Sequence, residues 1–120
     1  MIRPVVGSPR RNPTLAAFRA RGGKLLILHG TADGILSASE SVDYFERLAS
    51  NNGGVLATQA WARLFLIRGM NHCSGGPATD QFDALTPLVA WVERAIEPSA
   101  LLAQARGAGN PGGANAEVPA

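Results

Sequence analysis

The chain alternates short, wholly apolar runs with segments in which apolar residues recur every three or four positions. KLLILHG (residues 24–30) and ARLFLIRG (residues 62–69) are almost continuously apolar over the length of a strand, which is typical of strands buried on both faces of a parallel sheet. Between them, SASESVDYFERLAS (residues 37–50) repeats apolar residues at helical spacing. This pattern predicts two parallel strands joined by a helix.

The helices on the N-terminal side of each strand carry recognisable start signals. Thr14 is placed to cap a short helix, LAAFRAR (residues 15–21), which ends at a glycine pair. Ser37 and Glu40, three positions apart, form a plausible capping box for the helix between the strands. We therefore expect helices to begin just after Thr14 and Ser37.

A third helix is predicted after the second strand. The segment FDALTPLVAWVERAI (residues 82–96) carries an apolar stripe that includes Trp91 and Val92. Pro87 cannot sit in the interior of a regular helix, because it lacks a backbone N–H and its ring clashes with the preceding turn. Either the helix kinks at Pro87, or Thr86 caps a helix whose first residue is Pro87.

The order helix, strand, helix, strand, helix indicates an α/β fold with parallel strands. Two strands make a poor sheet, and both runs are apolar enough to need neighbours, so we expect the chain to form part of a larger sheet. Residues 1–13 are predicted to be an irregular lead-in and residues 14–106 the folded unit. Residues 107–120, rich in glycine, proline and alanine, are predicted to be extended or disordered.

Composition removes several classes of function. The chain has 120 residues and a net charge of only +2, and apart from a cluster at Arg3, Arg10 and Arg11 its charges are scattered in mixed sign, so no nucleic-acid partner is expected. No apolar run is long enough to span a membrane, and the first residues lack the apolar core of a signal peptide. A single cysteine cannot form an internal disulfide and cannot by itself build a zinc site. We expect no cofactor in this chain.

Two polar side chains follow the predicted strands and could carry chemistry. Asp33 follows the first strand, and His72 follows the second within GMNHCSGGP (residues 69–77). Functional groups of open parallel sheets gather at the carboxyl ends of strands, so these side chains are expected to meet. The carboxylate would orient the imidazole and leave its other nitrogen free to take a proton, as in a hydrolytic triad. The order acid, then histidine also agrees with the C-terminal half of an α/β-hydrolase.

The nucleophile of such a triad is not found in this sequence. The elbow motif G-x-S-x-G does not occur. Ser74 comes nearest, but His72 stands where the first glycine should be, and neighbours on one loop could not face each other. Plainer interpretations remain for each residue: His72 as a packed loop histidine, Asp33 as a turn aspartate. His29, at the end of the first strand, is expected to shape the turn beneath the site.

The motifs HG-x-AD and GM-x-HC-x-GGP, with the segments around them, resemble the C-terminal part of the tannase and feruloyl esterase family. The resemblance runs from about Asn12 to the end of the chain. It implies a partial α/β-hydrolase fold, truncated at both ends, and a serine esterase acting on aromatic acid esters such as gallate or ferulate. It further implies that Asp33 is the triad acid and His72 the base. By the same resemblance, Cys73 pairs in a disulfide with a cysteine outside this chain, beside the nucleophilic serine.

The chain also departs from the family pattern. Where family members often have tryptophan and proline around the aspartate, this chain has Thr31 and Gly34, which predicts a looser loop and a different substrate pocket. The resemblance places the serine elbow upstream, together with a lid domain that holds calcium in some members. It implies that the ligand is a small aromatic ester and that this chain needs the N-terminal part of the fold. It also implies a secreted or periplasmic location.

Two other interpretations stay open from the residues. The chain could be a catalytically inactive remnant. A serine elbow in the same polypeptide would favour the esterase, and its absence would favour the remnant. It could also belong to a dienelactone-hydrolase-like or peptidase-like enzyme, since those would place Asp33 and His72 on successive strand ends as well. Hydrolysis of aromatic esters, but not of aliphatic esters or peptides, would distinguish the tannase-like esterase from the dienelactone-hydrolase-like and peptidase-like enzymes.

Overall fold

A computed structural model describes residues 13–106 in full and residues 116–119 as backbone. The helices are α1 (Ala16–Ala20), α2 (Ala38–Ser50), α3 (Val55–Gln59) and α4 (Leu85–Arg94). The strands are β1 (Leu25–Gly30), β2 (Ala62–Ile67), β3 (Gln81–Phe82), β4 (Ala100–Gln104) and β5 (Ala116–Pro119). The predicted irregular lead-in over residues 1–13 lies outside the described residues except for Pro13, as does most of the predicted tail over residues 107–120.

The two predicted strands form a parallel pair, as expected from their apolar runs. The register pairs Leu25 with Ala62 at one end and Gly30 with Ile67 at the other, so the carboxyl ends of β1 and β2 are level. Helix α2 connects them and packs Phe45 and Leu48 beside Trp61 and Ala62 in one core cluster. The five predicted elements α1, β1, α2, β2 and α4 occur in the predicted order, with α3 and β3 between them, and the parallel pair is consistent with a partial α/β fold.

Strand β2 is covered on both faces, which explains its continuous apolar sequence. Successive side chains of a strand point to opposite faces. Ala62 and Leu64 pack into the cluster with α2, whereas Phe65 and Ile67 belong to a second cluster with residues from β4 and the loop after β2. A strand buried in this way cannot show the alternation of a half-exposed one.

The second cluster joins strand β2 to an antiparallel sheet that the sequence did not predict. Its strand order is β3, β4, β5, with Phe82 opposite Ala103 and Leu101 opposite Val118. Strand β5 falls in the predicted tail, where residues 116–119 are extended and paired rather than disordered. The short helix α3 was also not predicted, because five residues are too few for a helical pattern to emerge.

The predicted helix starts are partly wrong. Ser37 is the N-cap of α2, and its hydroxyl accepts from the backbone of Ser39 at 3.3 Å. Thr14 does not cap α1, which begins after Leu15, a residue with a left-handed φ of 50° and no side-chain cap.

Helix α4 begins two residues before the predicted proline start. Asp83 Oδ1 accepts from the backbone N–H groups of Leu85 and Thr86, both at 3.0 Å, and so caps the helix. Pro87 then lies in the first turn, where a missing N–H leaves no intrahelical bond unmade. Neither predicted alternative for Pro87 is therefore correct.

The apolar stripe of α4 is buried only in part. Trp91 is buried as predicted, but Val92 is exposed. Val92 belongs to an exposed apolar face of the helix, made of Leu85, Val89 and Val92 at helical spacing. Within the part of the chain that the structure describes, no helix combines the length and apolarity needed to cross a bilayer.

Candidate active site

The loops after β1 and β2 are joined to each other just beyond the strand ends. The backbone N–H of Ala32 donates to the carbonyl of Met70 at 3.0 Å, and the N–H of Gly69 donates to Thr31 Oγ1 at 2.8 Å. Thr31 is one of the departures from the family pattern for which a looser loop was predicted. Here its hydroxyl ties the first loop to the second.

Glycines make the close approach of these loops possible. A Cβ atom on Gly30 would overlap the carbonyl oxygen of Met70 and lie 2.7 Å from that of Asn71. Gly76 has a φ of +85°, and a Cβ there would lie 2.6 Å from the carbonyl oxygen of Gly69. The glycines of both sequence motifs therefore allow backbone to pass where a side chain would block it.

The structure brings the predicted acid and base into direct contact. Nδ1 of His72 lies 2.9 Å from Oδ2 of Asp33. The Asp33 side chain is only 5% exposed, whereas that of His72 is 41% exposed. Among the residues with described side chains, none forms a hydrogen bond with His72 Nε2. The histidine is thus oriented through one ring nitrogen and open at the other.

The aspartate is held as an anion by a turn of its own loop. Oδ1 accepts from the backbone N–H groups of Ile35 at 2.8 Å and Leu36 at 3.0 Å. The Leu36 N–H holds the pKa of Asp33 well below its usual range against the opposing effect of burial, and His72 and Ile35 lower it further. An ionised Asp33 can only accept a hydrogen bond, so the proton of a neutral His72 lies on Nδ1 and Nε2 is the basic nitrogen.

His29 takes part in this site more directly than predicted. Its Nε2 lies 3.0 Å from the carbonyl oxygen of Leu36 and 3.2 Å from Asp33 Oδ2, and its Nδ1 lies 2.7 Å from Ser41 Oγ. His29 shapes the turn, as expected, through its bond to Leu36. Its contact with the catalytic candidate Asp33 was missed, although the spacing of four residues between the two was visible in the sequence.

An ion pair between a buried carboxylate and a half-exposed guanidinium braces the loop that carries His72. The Asp80 side chain is 1% exposed and accepts from the backbone N–H of Gly75 at 2.6 Å. Arg106, just beyond β4, donates to both Asp80 oxygens through Nε at 2.9 and 3.0 Å and through Nη2 at 2.8 Å. Arg106 above all, and then Gly75, hold the pKa of Asp80 well below its usual range. Sequence analysis identified neither residue.

The remaining candidates of the loop are exposed. Cys73 is a free cysteine with a φ of 65°, in the left-handed region that non-glycine residues seldom adopt. Ser74 makes no hydrogen bond with His72 in the described structure, in keeping with its rejection as nucleophile. Over residues 13–106, no group of three or more histidine, cysteine, aspartate or glutamate side chains is arranged to hold a metal ion.

A parallel strand pair that presents an acid and a histidine at its carboxyl edge is the arrangement of the α/β-hydrolase class. Residues 4–117 match the family model described as "Tannase and feruloyl esterase". The chain therefore belongs to the tannase and feruloyl esterase family, as the motifs of the sequence indicated.

Individual relatives agree with this assignment. The chain is 56% identical over 89 residues to mono(2-hydroxyethyl) terephthalate hydrolase of Piscinibacter sakaiensis, covering 74% of this chain and 14% of that protein. It is 35% identical over 102 residues to feruloyl esterase B of Aspergillus niger, covering 72% of this chain and 20% of that protein. The crystal structure of an esterase from Aspergillus oryzae aligns with a TM-score of 0.74 and 28% identity over 88% of this chain and 24% of that one. The chain thus spans between 14% and 24% of the length of these relatives.

Proposed function

We propose that this chain supplies the acid and the base of a serine-dependent carboxylic ester hydrolase. The observation that carries the proposal is the 2.9 Å contact between His72 Nδ1 and Asp33 Oδ2, with the other imidazole nitrogen open. Structural histidines usually use both ring nitrogens, as His29 does here. An imidazole held by a carboxylate at one nitrogen and free at the other is the form that a general base requires.

In the proposed reaction, His72 Nε2 removes the proton of a serine hydroxyl supplied by another part of the fold. The serine oxygen attacks the ester carbonyl, and the resulting imidazolium is stabilised by the anionic Asp33. His72 then gives its proton to the departing alcohol. Water attacks the acyl-enzyme by the same route and regenerates the serine.

The proposed substrates are esters of aromatic carboxylic acids, such as ferulate or gallate. The relatives support this choice, since one is named for a terephthalate ester and others for feruloyl esters. Terephthalate and ferulate are both aromatic carboxylic acids. Ile35 and Leu36, exposed apolar residues two and three positions after Asp33, offer an apolar surface beside the site.

We further propose that the nucleophile comes from a part of the fold that packs against this chain. The exposed apolar face of α4 (Leu85, Val89 and Val92) favours such packing. So does the small parallel sheet, in which β1 pairs only with β2 among the described strands. Exposed Cys73 is then placed to form the disulfide implied by the family resemblance, with a cysteine beside the serine. Such a disulfide fits a secreted or periplasmic enzyme.

The test is a substrate panel with the complete esterase that contains this chain. Ethyl ferulate, methyl gallate, an aliphatic ester of equal chain length and a peptide are compared by kcat/KM. We expect turnover of the aromatic esters and a loss of roughly 10⁴-fold or more in kcat for His72→Ala, since removing a triad base has an effect of that order. Turnover of His72→Ala within tenfold of the parent enzyme contradicts the assignment of the base, and preference for the peptide contradicts the assignment of the substrate.

A further inference from the structure

The loop that carries His72 enters the core at its two ends and is exposed between them. Met70 and Ala78 are buried in the cluster that joins β2 to β4, whereas the four residues that follow Met70 are exposed. Within the described part of the chain, two hydrogen bonds connect residues 71–77 to groups outside that segment. One is made by the ring of His72 and the other by the backbone of Gly75.

Gly75 closes the turn in which His72 lies. The backbone N–H of Asn71 donates to the carbonyl oxygen of Gly75 at 3.0 Å, so His72 and Cys73 lie inside a closed turn. Cys73 has a φ of 65°, in the left-handed region that is unfavourable for a residue with a Cβ atom. Such a conformation persists where surrounding contacts fix it. The position of Gly75 therefore determines the position of His72.

Asp80 attaches this turn to the rest of the fold. Its Oδ2 accepts the backbone N–H of Gly75 at 2.6 Å, and its side chain is 1% exposed. Gly75 thus closes the turn through its carbonyl oxygen and is held from outside through its N–H. Because the carboxylate is buried, water has little access to replace it as the acceptor.

Arg106 fixes the orientation of the Asp80 carboxylate. The antiparallel register that pairs Gln81 with Gln104 brings Arg106 beside Asp80. The guanidinium contacts both carboxylate oxygens, and Gln81 Nε2 donates to Oδ1 at 3.2 Å. A planar guanidinium that contacts both oxygens restricts rotation of the carboxyl group, so Oδ2 stays directed at Gly75.

We propose that Arg106 and Asp80 are positioning residues of the esterase reaction, which place His72 Nε2 for proton transfer by fixing Gly75. This proposal rests on the proposed function, since it concerns the base of that reaction. Neither residue touches the substrate or the reacting atoms. A general base must stay within hydrogen-bond reach of the hydroxyl group, and a displacement of about 1 Å can lower the rate about 100-fold.

The kinetic experiment compares Arg106→Ala and Arg106→Lys in the complete esterase. Lysine keeps the positive charge, but a single ammonium group replaces the planar guanidinium that contacts both oxygens. We expect kcat to fall by roughly tenfold to a hundredfold in Arg106→Ala and by less in Arg106→Lys, with KM little changed in both. An unchanged kcat in folded Arg106→Ala, or a loss confined to KM, overturns the proposal.

Arg63→Ala is the matched control for a general loss of stability. Arg63 also forms an ion pair, at 2.8 Å to Glu97, but it lies near the start of β2, at the end of the strand opposite the His72 loop. We expect Arg63→Ala to lower the thermal unfolding midpoint and to keep the parental kcat at temperatures where it is folded. Equal losses of kcat in Arg63→Ala and Arg106→Ala contradict the positioning role.

Free guanidinium tests the missing group directly. The Arg106 side chain is 52% exposed, so the space left in Arg106→Ala is open to solvent. We expect guanidinium chloride at about 20 mM, far below denaturing concentrations, to restore part of the lost kcat, and sodium chloride at the same concentration to restore none. Equal effects of the two salts contradict the role assigned to the guanidinium.

Proton NMR of the complete esterase separates this proposal from the proposed function. The proton on His72 Nδ1 gives a low-field signal while it is hydrogen-bonded to Asp33. We expect this signal in the parent protein and in Arg63→Ala, and a weaker signal in Arg106→Ala that guanidinium restores. An unchanged signal in folded Arg106→Ala overturns the positioning role, whether or not the protein hydrolyses esters. Absence of esterase activity in a parent protein that shows the expected signals contradicts the proposed function alone.

Discussion

Two nearly buried carboxylates, Asp33 and Asp80, contact the loop that carries His72, the first at His72 itself and the second at the backbone of Gly75. Their side chains are 5% and 1% exposed, and hydrogen bonds hold the pKa of each well below the usual range. Their partners differ in kind. Asp80 faces the guanidinium of Arg106, a permanent cation, whereas Asp33 faces two imidazoles and two backbone N–H groups.

We interpret the Asp80 pair as structural and the Asp33 pair as the acid and base of the proposed reaction. Arg106 cannot give up or take a proton in the working pH range, so its pair with Asp80 only holds Gly75 and the adjoining loop in place. The imidazole beside Asp33 can accept a proton, and the anion is then positioned to stabilise the cation that forms. A low pKa of a buried aspartate therefore does not identify a catalytic acid; the protonation chemistry of its partner does.

The largest expected effect is the loss of activity when Asp33→Asn is introduced into the complete esterase. Asn keeps an acceptor for Ile35 and Leu36 but cannot orient or stabilise a protonated His72. We expect kcat to fall by about 10⁴-fold with only a moderate decrease in the thermal unfolding midpoint, because Asn keeps the acceptor for both backbone N–H groups although the charge is lost. Kinetics with an aromatic ester and a thermal melt check both parts. A variant with normal turnover removes Asp33 from the mechanism.

Asp80→Asn should show the reverse pattern. The amide leaves Arg106 without a counter-charge and offers only one oxygen to the Gly75 N–H and the guanidinium together. We expect a clearly lower unfolding midpoint and a fall in kcat far smaller than that of Asp33→Asn. If Asp80→Asn lost as much kcat as Asp33→Asn while remaining as stable as the parent protein, the distinction between the two carboxylates would be wrong.

The smallest effect is expected in the pH dependence of stability. Both aspartates have a pKa in the folded chain below the value of about 3.9 for an unfolded aspartate. Between the two values the unfolded chain binds more protons, so the free energy of unfolding decreases as the pH falls below about 4 and is fully recovered above about 5. Thermal melts from neutral to acid pH should show this loss, and Asp80→Asn should flatten it. An equal pH dependence in Asp80→Asn contradicts the assignment of Asp80.

The sequence predicted the parts of the fold that have a strong local pattern. The runs over residues 24–30 and 62–69 are apolar at nearly every position, so their strands were recognisable, and helix α2 has a clear apolar face. Strand β4 was missed because it has five residues, and its partner β5 lies beyond a glycine-rich segment without periodicity. Pairing between distant short strands leaves little local signal.

The part of the site that depends only on the order of the parallel strands could be predicted from the sequence. Asp33 and His72 each follow a parallel strand, so adjacency of the strand ends predicted their contact. The Asp80 and Arg106 pair spans 26 positions and depends on the antiparallel sheet, which was not predicted. The contact of His29 with Asp33 depends on the curl of a single loop around Leu36, a backbone detail that residue types alone do not specify.

The central claim is that His72 is the base that activates a serine supplied by another part of the fold. The most direct measurement is the rate at which a fluorophosphonate labels the complete esterase, because labelling needs an activated serine but no particular ester substrate. The account predicts rapid labelling at one serine in the parent enzyme and a rate lower by at least about 10³-fold in His72→Ala. Labelling of His72→Ala at the parental rate would show that the serine is activated by another group and would contradict the account.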